Sequence, residues 1–163
     1  MATLSALAIE LGALLKERNL SLALAESCTG GMVAQYITSV AGSSAWFDRG
    51  FVTYSNESKI EMLGVRAETL EKFGAVSEQT ATMMAQGALK HSHAQVSGSI
   101  TGIAGPDGGT KEKPVGTVCF AWVADKLTLS TSTNRFFGNR EEVRQQAAIT
   151  CIAGLIERLK LPN

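Results

Sequence analysis

Excess charge of one sign, histidine and paired cysteine are all missing or scarce in this 163-residue sequence. Fifteen Lys and Arg balance fifteen Asp and Glu, so no broad attraction to nucleic acid or an anionic membrane is expected. An anionic ligand has to be held locally. The three cysteines, Cys28, Cys119 and Cys151, are far apart and form no CxxC pair, which argues against a disulfide framework or a zinc site and suits a reducing cytoplasm. The two histidines, His91 and His93, alternate near the end of a polar helical segment and cannot aim at one point, so neither a metal centre nor a histidine-based triad is expected. No apolar run is long enough to span a bilayer. The apolar N-terminus lacks a basic n-region and carries Glu10, so it reads as a helix and not as a signal peptide. There is no internal repeat, low-complexity tract or linker.

What is present suffices for one globular domain over residues 1–163, because 45% of the residues are hydrophobic and a core of that size needs no staples. Leu4, Leu7, Leu11, Leu14 and Leu15 recur at helical spacing. A short buried strand is expected over 20–25, a helix over 31–41, and a second strand over the aromatic and β-branched run 46–54. Ser55 or Asn56 can cap a short helix that closes at Gly64, and Ser77 starts a longer one running to about His91. Residues 96–103 form a strand, followed by the loop GPDGGTKEKP. Two β-rich runs, 115–124 and 127–135, make a hairpin joined at Asp125 and Lys126. Asn139 with Glu142 in the capping-box position opens a last helix, along which Val143, Ala147, Cys151, Leu155 and Leu159 form an apolar stripe. Helices alternating with early strands and a late hairpin predict an α/β domain with a mixed β-sheet covered by helices.

Ligands in such a sheet gather where strands end and helices begin. Four segments compete for that place: AESCTGG, YSNESK, SITGIAGPDGG and FFGNREEVR. Ser27 is either a helix cap or a nucleophile. With no histidine to serve as base, lysine is the remaining candidate, and Lys59 is either a solvated helix lysine or a buried amine whose lowered pKa makes it a base. Tyr54 is a core-edge tyrosine, or a proton relay if it meets both Ser27 and Lys59. Cys28 is an alternative nucleophile without a histidine partner, or a small buried residue. Gly102 and Gly105 let backbone amides approach a ligand, with the Thr101 hydroxyl beside them, although neither a dinucleotide fingerprint nor a Walker A sequence is present. Arg140 opposes the dipole at a helix N-terminus, a local cost that points to a bound anion such as phosphate. Arg144, one turn later, either helps or only pairs with Glu141.

Six segments in order, ESCTGG (26–31), GFVTYSNESK (50–59), GAVSE (74–78), TGIAGPDGG (101–109), KPVGTV (113–118) and FGNREEVR (137–144), resemble the CinA C-terminal domain family over nearly the whole chain. Characterised members are nicotinamide-nucleotide amidases, which convert nicotinamide mononucleotide to nicotinic acid mononucleotide and ammonia. The resemblance implies a CinA C-terminal domain-like fold, Ser27 as nucleophile, Lys59 as general base and Tyr54 as an assisting hydroxyl. It implies a substrate site formed by Thr29, Gly30, Asn56, Thr101, Gly102, Gly105 and Arg140, with the amides of Thr29 and Gly30 facing the oxyanion. It further implies a nucleotide substrate, no metal or other cofactor, no nucleic-acid or membrane partner, and a homodimer. Longer CinA proteins carry an N-terminal domain linked to a metal-dependent pyrophosphatase activity, which a chain of this length is not expected to contain. Rival readings are a non-catalytic nucleotide-binding module, in which Ser27 only caps a helix, and a scaffold protein.

Overall fold

A computed structural model describes residues 3–125 and 127–161. Helix α1 (Leu4–Glu17), capped by Thr3, leads into strand β1 (Leu22–Glu26), helix α2 (Met32–Thr38) and strand β2 (Phe47–Val52). Helices α3 (Asn56–Leu63), α4 (Ala67–Phe73) and α5 (Glu78–Lys90) follow, then β3 (Val96–Gly102), β4 (Thr117–Ala124), β5 (Leu127–Arg135) and α6 (Arg140–Leu159). The expected caps are in place: Ser55 and Ser77 accept the amides of Ser58 and Thr80, and Asn139 and Glu142 form a full capping box. Helix α4 has no counterpart in the sequence reading, because it buries none of its residues and has no side-chain cap. The expected turn residue Lys126 lies outside the described residues.

The sheet has the order β2-β1-β3-β4-β5, with β1 parallel to both β2 and β3 and the last three strands antiparallel. This is the mixed sheet expected. The chain leaves β1 for β2 on one side and returns to β3 on the other, so the C-terminal end of β1 is a switch point where loops diverge.

Side-chain alternation gives the two faces different chemistry. Leu22, Leu24, Ile100, Val118, Phe120 and Trp122 point into a large apolar core with residues of α1, α2 and α6. The opposite face is packed by small residues, Ala23, Ala25, Ala121 and Cys119 among them, against Ala81, Met84, Ala85 and Ala88 of α5. There the hydroxyls of Ser97, Ser99 and Thr101 donate to the carbonyls of Ala85, Ala81 and Ala75 at 2.7, 2.6 and 2.8 Å. All three cysteines are free and buried. Among the described residues no helix is long and apolar enough to cross a membrane.

Candidate active site

The site forms where three parallel strands end. Glu26 pairs with Val52 of β2 and with Ile100 of β3, and one residue further Ser27 N donates to Ile100 O while Thr53 N donates to Glu26 O. Ser27 therefore stands between Thr53 and Thr101 on the α5 face. The row continues through the paired residues Cys119 and Thr133, at the strand spacing of about 4.8 Å.

Ser27 does not cap a helix. That work is done by the residue before it: the buried Glu26 carboxylate accepts from Thr29 Oγ1 (2.7 Å), Gly31 N (3.2 Å), Val33 N (3.0 Å) and Ala34 N (3.0 Å). A carboxylate here satisfies amides that the α2 N-cap, Gly31, has no side chain to satisfy. Gly30 and Gly31 both have positive φ, 58° and 103°, so the chain turns from strand to helix within the five residues 27–31. Glu26 was legible in the sequence only as an acidic residue beside the glycines.

The Ser27 hydroxyl instead faces Lys59. The amine lies 3.0 Å from Ser27 Oγ and donates to Thr53 O (3.0 Å) and Tyr54 O (3.1 Å). Lys59 is 1% exposed, and no salt bridge to it exists among the described residues. Helix α3 achieves this because Ser55 caps it, which sets Lys59 and Leu63 on its inward side, one turn apart. Burial holds the Lys59 amine below the ordinary lysine range; a Cys28 thiolate would oppose that shift. Burial also pushes the Cys28 thiol up to about 12, so at neutral pH it is an uncharged, poor nucleophile. Two carbonyls can only accept, so a neutral amine spends both N–H groups on them and turns its lone pair to Ser27 Oγ.

The remaining expected residues divide. Tyr54 contributes its carbonyl to Lys59, but its exposed ring carries the hydroxyl away to accept from Arg140 Nη2 (3.1 Å). The anticipated meeting of that hydroxyl with both Ser27 and Lys59 is thus not the arrangement found. Arg140 also donates to Gly105 O (2.7 Å) and is exposed, so it links the β2–α3 and β3–β4 loops at the rim. Thr101 is buried with its hydroxyl committed to Ala75 O. Gly102 allows close strand packing, since a Cβ there would lie 2.7 Å from the Val118 side chain. Asn56 is exposed at the first position of α3. Thr29 is buried on Glu26, and the Gly30 amide is committed to Ser27 O (3.0 Å). Among the described residues the amides of Cys28 and Thr29 have no protein acceptor.

Two residues were missed or left open by sequence reading. Thr53 Oγ1 is buried beside the pair without a hydrogen-bond partner. Arg144 donates from Nε to Cys28 O (3.1 Å) and from Nη2 to Thr29 O (3.0 Å), besides its contact with Glu141 (3.1 Å). A cavity of about 520 Å³ lies further along the row, lined by Val76, Ser77, Glu78, Lys113, Thr117 and Cys119 among others. The GAVSE and KPVGTV segments therefore meet there. Among the described residues no group of histidine, cysteine and carboxylate side chains could hold a metal ion.

Comparison with known proteins matches the CinA C-terminal domain family over residues 4–159. The chain is 55% identical over 143 residues to the nicotinamide-nucleotide amidohydrolase PncC of Enterobacter agglomerans, covering 88% of this chain and 87% of the relative. It is 56% identical over 138 residues to the protein of the same name from Escherichia coli K12, covering 85% and 84%. Among solved structures, the competence/damage inducible protein CihA of Agrobacterium tumefaciens superposes with a TM-score of 0.95 at 44% identity, covering 99% of this chain and 98% of that one.

Proposed function

The chain belongs to the CinA C-terminal domain family, and from that premise we propose that it is an amidohydrolase that cleaves the carboxamide of nicotinamide mononucleotide with Ser27 as nucleophile and Lys59 as base. The observation that carries this reading is the buried amine 3.0 Å from the serine hydroxyl. A buried lysine without a carboxylate partner is costly to keep unless its neutral form has a use. The binding-module alternative needs Ser27 as a helix cap, and Glu26 already fills that role.

In the forward step Lys59 Nζ takes the Oγ proton as Ser27 Oγ bonds to the carboxamide carbon. The oxyanion is met by the amides of Cys28 and Thr29, which are not spent on protein acceptors, whereas Gly30 is. Collapse breaks the C–N bond, and the Lys59 ammonium returns its proton to the departing nitrogen, releasing ammonia. Water then attacks the acyl-enzyme, giving one proton through Lys59 back to Ser27 Oγ, and nicotinic acid mononucleotide leaves. During the ammonium interval Thr53 O and Tyr54 O support the charge. Arg140, exposed at the rim, is placed to meet the substrate phosphate with the N–H groups it does not give to Tyr54 and Gly105.

The test is ammonia release from nicotinamide mononucleotide in the presence of a chelator. Wild-type protein is expected to turn over, and Ser27→Ala and Lys59→Met to lose turnover while keeping their fold. Near-normal release by either variant overturns the reading. A cytoplasmic homodimer belongs to the same proposal, supported by the family resemblance and by three buried free thiols, which suit a reducing compartment; light scattering checks the dimer.

A further inference from the structure

Arg144 touches neither Ser27 nor Lys59, and it makes two hydrogen bonds to backbone atoms more than a hundred residues away, Cys28 O and Thr29 O. A peptide unit is planar and trans, so fixing its carbonyl fixes the opposite direction of its N–H. With Cys28 O held toward α6, the Thr29 N–H points away from α6. With Thr29 O held the same way, the Gly30 N–H points to the far side, where it meets Ser27 O at 3.0 Å and closes the turn. Glu26 secures the same turn from below through the Thr29 hydroxyl and the Gly31 amide. A guanidinium bonded to a carbonyl also polarises that peptide and strengthens its N–H as a donor.

We infer that Arg144 is a positioning residue for the nucleophile: from the first turns of α6 it fixes the Cys28–Thr29 and Thr29–Gly30 peptide planes of the turn behind Ser27, and with them the serine's approach to Lys59 and the direction of the Thr29 amide donor. The inference rests on the proposed amidase reaction. It gives the two arginines at the start of α6 separate work: Arg140 grips the rim at Tyr54 and Gly105, and Arg144 grips the turn behind the serine. The exposed contact between Arg144 and Glu141 is incidental.

A positioning role predicts a loss in kcat without a matching rise in KM. Arg144→Ala should lower kcat about 10- to 100-fold with KM within about threefold of wild type, the scale expected when donors and nucleophile are misplaced. Guanidinium ion at sub-denaturing concentration should restore part of the Arg144→Ala kcat and none of the Ser27→Ala kcat. Glu141→Gln should remain at wild-type activity. Should Arg144→Ala fail to fold, Arg144→Lys serves: an ammonium cannot reach both carbonyls in a fixed fork, so kcat should still fall with KM unchanged. Wild-type kcat in the variant that folds, or a loss carried by KM, overturns the inference. Turnover that survives in Ser27→Ala would instead overturn the assignment of Ser27 as nucleophile, whatever Arg144 does.

Discussion

Replacing Glu26 with alanine removes one carboxylate and strands four donors at once. Two of them, the Thr29 hydroxyl and the Val33 amide, are buried, and the amides of Gly31 and Ala34 are partly so. At about 1–3 kcal/mol for each buried donor left unpaired, and less for the others, which water can reach, Glu26→Ala is expected to cost roughly 3–5 kcal/mol. Glu26→Gln is the sharper probe. Its amide oxygen can replace Oε1 and keep three of the four bonds, but its NH2 group then confronts the Ala34 N–H, for an expected loss of about 1–2 kcal/mol. Urea unfolding followed by circular dichroism measures both, with an unchanged m-value confirming that the comparison is of stability alone. In a domain of this size the losses correspond to about 2–4 °C in Tm per kcal/mol. Equal losses in the two variants, or a loss below about 1 kcal/mol in Glu26→Ala, would refute the claim that this carboxylate holds the nucleophile turn.

Three further outcomes follow from Lys59 and its support. Because the neutral amine is the active form and burial lowers its pKa from 10.5, kcat/KM should rise with pH along a limb centred below that value; a limb centred at or above 10.5 would exclude a lowered Lys59 amine as the base. The same shift sets a stability trend. The unfolded lysine binds a proton that the folded one has released, so wild type should gain stability relative to Lys59→Met as pH rises from the folded pKa toward 10.5, measurable as a pH-dependent difference in Tm. Gly87→Ala should harm both fold and chemistry, since its Cβ would lie 2.0 Å from Leu63 O at the end of the helix that presents Lys59. About 1–3 kcal/mol of overpacking is expected, together with a reduced kcat, and unaltered Tm would contradict it.

Much of this was legible in the sequence where the signal is local. Ser55, Ser77 and Asn139 mark helix starts because a cap and the amide it accepts from lie three residues apart. The β-rich composition of β4 and β5 marks strands just as locally. Ser27 and Lys59 are visible as residue types at strand ends, but their meeting requires β1 and β2 to lie side by side, and spacing alone does not show that. Arg144 stood open between helping at the anion site and pairing with Glu141, because the sequence displays the neighbour three residues away and conceals two carbonyls across the molecule. Tyr54 shows a related limit: a side-chain pattern drew attention to its hydroxyl, whereas the atom that reaches Lys59 is its carbonyl. Helix α4 buries nothing, so no periodicity announced it.

The two faces of the sheet are joined by different forces. Toward α1, α2 and α6 the contact is leucine, isoleucine, phenylalanine and tryptophan; toward α5 it is alanine and a file of hydroxyls bonded to carbonyls of α5 and of the segment before it. Burial of hydrocarbon loses strength as water cools, while directional bonds between fixed dipoles do not depend on that driving force. Low temperature therefore loosens the side carrying α6 and its arginines before the side on which the serine meets its base, so chilling should disturb the rim and turn supports while the Ser27 to Lys59 contact persists.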